Sequence, residues 1–142
     1  MSRVKGVYVL VISVNRDTEI DVGALGKVNF QRGLYAYVGS AQNNLEKRIE
    51  RHLRKAKQKL WHIDYLLDSD GVKVVKLFHK IAGRSEECKI AEKIGLENVP
   101  TNMFGSSDCK CKSHLFKIKG YQFLREFMHE LALGNNGRGF HD

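Results

Sequence analysis

Several things are scarce in this sequence. Pro100 is the single proline among 142 residues, and no Gly/Ser-rich or charge-biased stretch divides the chain, which leaves no linker and predicts one domain over 1–142. No internal repeat is visible. No apolar run approaches the roughly 20 residues a bilayer span needs, and the strand-like start that follows Met1–Lys5 carries no small-residue cleavage site, so neither a membrane anchor nor a signal peptide is expected. Cysteine is limited to three, an odd number, and Cys109 and Cys111 stand one residue apart. Such spacing disfavours a mutual disulfide and suits a reducing compartment, so a cytoplasmic protein is expected.

Negative charge is also in deficit. Lys and Arg number 24 against 16 Asp and Glu, a net charge of +8. A polyanionic partner follows, nucleic acid first and an acidic membrane surface second. What decides between a partner and mere solubility is whether the charge is clustered.

The chain is otherwise rich in strand signals. Residues 7–14 are β-branched and nearly all apolar, which fits a central strand covered on both faces. Residues 19–22 read as a short edge strand. Leu34–Val38 forms the next, with Tyr35 and Tyr37 on one face and Leu34, Ala36 and Val38 on the other. Asn43, followed by Glu46, reads as the cap of a helix running to about Lys57. Its apolar stripe is Leu45, Ile49, Leu53 and Ala56. Arg48, His52, Lys55 and Lys59 fall on one flank and Glu46 and Glu50 on the other, a segregation that points to a cationic face beside the core.

A short helix over 61–67, a strand over 72–79, a helix from Ser85 to Gly95 and a strand over 114–118 follow. Leu124, Phe127, Met128 and Leu131 share helical spacing, which predicts a last helix over about 121–133, packed internally or against a second copy, with a frayed tail at 135–142. The expected fold is α/β of the α+β kind: a small mixed or antiparallel central sheet flanked by helices, with an extra C-terminal helix.

Two tyrosine strands ahead of a basic helix carry the chemistry. Gly6-Val7-Tyr8, then Tyr37-Val38-Gly39-Ser40-Ala41, then Leu45-x-x-Arg48-x-x-x-His52 resemble the GIY-YIG nuclease superfamily. Trp61-His62-Ile63-Asp64-Tyr65-Leu66-Leu67, Glu87-Cys88, and Phe104-Gly105-Ser106-Ser107-Asp108-Cys109-x-Cys111-x-Ser113-His114-Leu115 are similar to one branch of it, whose members occur alone or fused to endonuclease III-type repair enzymes. The resemblance covers about residues 6–118. It departs from the usual pattern between the tyrosine signatures, where about 28 residues replace a short hairpin.

The resemblance implies a divalent-metal-dependent endonuclease acting on DNA, ahead of RNA, in repair or recombination. It implies Tyr8, Tyr37, Arg48 and His62 as catalytic residues and a magnesium or manganese ion held by Glu87, with Glu92 as the alternative. A nearby cation, Arg48 or the metal, would be needed for Tyr8 to act as a base, since a free phenol ionises only near pH 10. Arg51, His52, Lys55 and Lys59 would bind the nucleic acid. A DNA-repair glycosylase or lyase is the implied partner, and the protein would be a monomer or weak homodimer. A second reading keeps the nucleic-acid binding and drops the turnover. Cys88, Cys109, Cys111 and His114 either pack the glutamate helix against the 104–114 loop or close a tetrahedral zinc site.

Overall fold

A computed structural model describes residues 5–54, 58–106, 111–133 and 140–141. The sheet is built around β1 (Gly6–Val14), as the apolar run requires. Six further strands complete it: β4 (Gly33–Ala41), β5 (Val72–Lys80), β6 (Val99–Pro100), β7 (Leu115–Ile118), β8 (His129–Leu133) and β9 (Phe140–His141), in the order β6-β7-β4-β1-β5-β8-β9. All described pairings are antiparallel. Pro100, which cannot donate to a ladder, sits in the edge strand β6.

Period-2 alternation along β1 divides the interior into two cores. Tyr8, Leu10, Ile12 and Val14 face one, with Tyr35 and Tyr37 beside them. Helices α1 (Leu45–Leu53) and α2 (His62–Leu67) cover that face through Leu45, Ile49, Ile63, Leu66 and Leu67. Val7, Val9, Val11, Ala36 and Val38 face the other, beneath Ile90, Ala91 and Ile94 of α3 (Ser85–Gly95). This is the α+β architecture expected, with helices on both sides of an antiparallel sheet.

The 28 residues between the tyrosine signatures have a structural use. They contain β2 (Thr18–Asp21) and β3 (Lys27–Phe30), a separate two-stranded sheet. The insertion delivers Ile20, Val22 and Phe30 to the first core and so enlarges it under α2.

Two boundaries differ from expectation. The cap of α1 is Asn44, whose side chain accepts from the Lys47 amide at 3.1 Å, and the helix ends at Leu53, with Arg54 already extended. The expected C-terminal helix over 121–133 does not form. Residues Gln122–Glu126 make a 3-10 turn and β8 follows. The spacing misleads because its apolar residues serve opposite faces: Leu124 and Met128 enter the second core and Leu131 the first. Strand pairing also covers the edge of β5, which would otherwise present unpaired backbone groups. Of the expected tail, residues 140–141 return as β9 beside β8, and 135–139 and 142 lie outside the described residues.

Two substitutions separate strand from helix at this point. Leu131→Ala should cost about 2–5 kcal/mol as a buried truncation. Ala132→Thr, on the exposed face, should be neutral or slightly stabilising in a strand, where a helix would lose about half a kcal/mol. Urea unfolding of both variants reads the difference.

Candidate active site

Tyr8 and Gly39 are direct partners across β1 and β4. A Cβ at Gly39 would overlap the Tyr8 ring. The glycine of the second signature therefore leaves the space in which the tyrosine of the first lies. Tyr8 is 1 % exposed, and its hydroxyl is 2.7 Å from His52 Nε2 on α1. The same helix carries Arg48 one turn earlier, and its Nη1 donates to the Ser40 carbonyl at 2.9 Å. Strand β4 and helix α1 are thus tied together at the position where the sheet opens into a cleft of about 360 Å³.

Tyr8, Tyr37, Arg48, His62 and Glu87 all line that cleft. Arg48 and His62 come from α1 and α2 on one face of the sheet, and Glu87 from the first turn of α3 on the other. Among the described residues, Glu87 is the one carboxylate in the lining. Glu92 lines a different pocket, beside Ala91, Gly95 and Phe116. The rotation between positions 87 and 92 on a helix explains why both cannot serve one cleft.

The ionisation states follow from burial. Desolvation pushes the Tyr8 hydroxyl up to about 12, outweighing Arg48, which draws it down. That is about 3 kcal/mol against the phenolate, so Arg48 by itself does not make Tyr8 a base. Tyr37 is driven well above its ordinary value by burial, with Tyr8 and Glu87 adding to the effect. Burial lowers the imidazole of His62, whose Nδ1 accepts from the Gly105 amide at 2.9 Å. An accepting Nδ1 fixes the tautomer and leaves Nε2–H as a donor.

The residues expected to bind nucleic acid have other contacts in the structure. His52 is buried and faces Tyr8. Arg51 is committed to the interior: its two Nη atoms grip Asp64 at 2.9 Å each, and Nη2 also donates to the Gln58 carbonyl. Lys59 pairs with the exposed Asp68 at 3.1 Å. Lys55 lies outside the described residues, as does Cys109. Part of the basic character of α1 is therefore spent on internal contacts, His52 with Tyr8 and Arg51 with Asp64 of α2.

Sequence reasoning missed three participants. Asp64 is wholly buried, and the amides of Leu60 and Trp61 donate to its Oδ2 at 2.8 and 3.0 Å. Its signal was an acid three positions into a short helix, where it closes a capping box. Trp61 lies beneath the guanidinium groups of Arg48 and Arg51, 4.7 and 4.4 Å from its ring centre, and it had no partner in the sequence to point to it. Arg84, in the turn before α3, adds a second arginine to the cleft.

A second cluster adjoins the cleft. Ligand atoms of Cys88, Cys111 and His114 lie within 4.8 Å of one another and could hold a metal ion. His114 Nδ1 is 2.9 Å from Glu87 Oε2.

Two substitutions test this construction. Gly39→Ala should displace the Tyr8 ring, costing about 1–3 kcal/mol as overpacking and shifting the His52 imidazole resonances in NMR. Asp64 gives a pH signature. Burial raises its carboxyl, but the Arg51 fork and two amides outweigh that and hold it below its ordinary value. Its contribution is complete above the unfolded value near 4 and is lost as pH falls through the lower folded value. Asp64→Ala should cost about 3–5 kcal/mol at neutral pH by stranding Arg51, and should flatten the acid limb of the stability–pH curve.

No curated protein and no solved structure matches this chain. Residues 7–135 match the family described as a domain of unknown function, DUF123, and because that span is most of the 142 residues, the chain belongs to this family.

Proposed function

We propose that the protein is a divalent-metal-dependent endonuclease that hydrolyses phosphodiester bonds in DNA, as the GIY-YIG resemblance implies. The observation that carries this reading is the convergence of Tyr8, Tyr37, Arg48, His62 and Glu87 on one cleft from both faces of the sheet. Arg48 and Arg84 supply positive charge for a phosphate, and His62 Nε2–H adds a neutral donor. Tyr8 positions the attacking water. Its oxygen accepts a proton from the water while its own proton passes to His52 Nε2 at 2.7 Å, so no free phenolate is needed. Arg48 stabilises the charge that builds on the phosphoryl oxygens.

Glu87 fits a hard cation. One carboxylate, with water and phosphate oxygens completing the shell, is the donor set magnesium or manganese takes. Bound there, such an ion would polarise the phosphate and steady the leaving oxygen. The sulfur and imidazole donors of Cys88, Cys111 and His114 suit zinc instead. DNA is the preferred substrate over RNA, and the setting proposed is repair or recombination in the cytoplasm, alongside a glycosylase or lyase of the endonuclease III type.

The test is incubation of the purified chain with supercoiled, flapped and lesion-bearing DNA and magnesium or manganese. Cleavage should appear with the metal and vanish in chelator. Arg48→Ala should lower kcat about 10²–10³-fold, and Tyr8→Phe and His52→Ala should each lower it about 10²–10⁴-fold, the latter two with little change in DNA affinity. Salt-sensitive binding in chelator, with no product from any substrate in the presence of metal, would replace this reading with a binding module that lacks turnover.

A further inference from the structure

The segment from Thr101 to Leu115 touches three parts of the cleft at once. Its Gly105 amide donates to His62 Nδ1. Gly105 takes a positive φ of 68°, and a Cβ there would press on the Tyr37 ring at 3.1 Å. His114 holds Glu87. Among its described residues, the backbone bonds Thr101 N–H to Leu115 O, Met103 N–H to Lys112 O and His114 N–H to Phe104 O, at 2.9, 2.7 and 2.8 Å, tie the segment back on itself. Its placement decides where His62 and Glu87 point.

We propose that Cys88, Cys111 and His114 bind a thiophilic cation of the zinc class, oriented by Glu87, and that this ion fastens the 101–115 segment to α3. Three observations converge. The donors come from both elements to be joined, Cys88 from α3 and Cys111 and His114 from the segment. Their separations, up to 4.8 Å, need to close by only about 1 Å to reach the spacings of roughly 3.6–3.8 Å that tetrahedral Zn–S and Zn–N bonds impose. His114 is 2 % exposed and Cys88 and Cys111 are half-buried, so the ion would sit shielded from bulk water, as structural zinc does.

The fourth observation concerns the imidazole. Nδ1 faces Glu87 Oε2 at 2.9 Å, so the proposed metal is assigned to Nε2. A carboxylate on one imidazole nitrogen and a metal on the other is the arrangement that fixes ligand histidines and raises their basicity. Glu87 is thereby a positioning residue for this second site, through one carboxylate oxygen, while its other oxygen remains for the cleft. Thiolate and imidazole donors select zinc over magnesium, and a lone carboxylate selects the reverse. The two ions would therefore sort themselves by softness across one shared side chain.

Zinc binding is measured without turnover, so this inference stands or falls apart from the nuclease reading. The full chain is purified with reductant and without strong chelator, and its metal content is measured. About one zinc per chain is expected, and replacement by cobalt(II) should give thiolate-to-cobalt charge-transfer absorption with tetrahedral d–d bands. In competition with a chromophoric chelator, Cys88→Ser and Cys111→Ser should abolish tight zinc binding. Glu87→Gln should weaken it about 10–100-fold while leaving the cobalt–thiolate bands. Glu86→Gln, whose carboxylate pairs with Lys80 and Lys89, should leave affinity unchanged. Because wild-type metal content and the cobalt spectrum need no variant, misfolding of a serine mutant cannot obscure the result. A reduced wild-type chain that takes up neither zinc nor cobalt, cobalt bound without thiolate absorption, or a Cys88–Cys111 disulfide in freshly purified protein would each overturn the proposal.

Discussion

The structure depends on one steric arrangement, the Tyr8 ring lying across a residue that has no side chain. β1 and β4 are in the register that sets Tyr8 opposite Gly39, and the space over Gly39 is filled by that ring. From there the hydroxyl reaches His52, which anchors α1, and α1 in turn brings Arg48 back to the Ser40 carbonyl. Slipping β1 by one residue would turn Tyr8 into the other core and carry Val7 or Val9 to the cleft. Register, set by apolar alternation on both faces, is what places the chemistry.

Burial then decides what those groups can do. A cation beside a phenol lowers its pKa, and Arg48 does act in that direction on Tyr8, but removing the ring from water has the larger effect. The consequence is a hydroxyl that stays protonated, 2.7 Å from His52 Nε2. The same balance runs the other way at Asp64, where burial raises the acid's pKa and the bidentate Arg51 fork with two backbone amides outweighs it. A neutral hydroxyl and a charged carboxylate, both buried, differ because only one is surrounded by enough donors.

Much of this was legible in the residues. Continuous β-branched apolar character gave β1 as a doubly covered strand, and alternation put Tyr35 and Tyr37 on one face, where they lie. The tyrosine, arginine, histidine and glutamate that the motif singled out meet in one cleft. Two kinds of information were missing. Helical spacing in 121–133 was genuine, but Leu124, Met128 and Leu131 are shared between two cores, and the open edge of β5 needed a partner that no local pattern could announce. The basic flank of α1 was also read as a surface. Arg51 and Asp64 are 13 positions apart, and only the packing of α1 against α2 reveals that the charge is used inside.

Glu87 stands between the cleft and the cysteine cluster. It is one turn of helix from the sheet's second core, it lines a cleft whose other charged groups are arginines, and one of its oxygens is engaged by His114. A carboxylate free to rotate would be a poor ligand, since fixing it on binding costs side-chain entropy. Set beside a buried imidazole at 2.9 Å, it would offer the proposed cation its remaining oxygen with part of that cost already met. The imidazole is itself held by the backbone, through its own amide to Phe104 and its carbonyl to Val38 on β4. The chain of restraint therefore runs from β4 through the 101–115 segment to α3, so the strand that supplies Tyr37 also steadies the acid across the cleft from it.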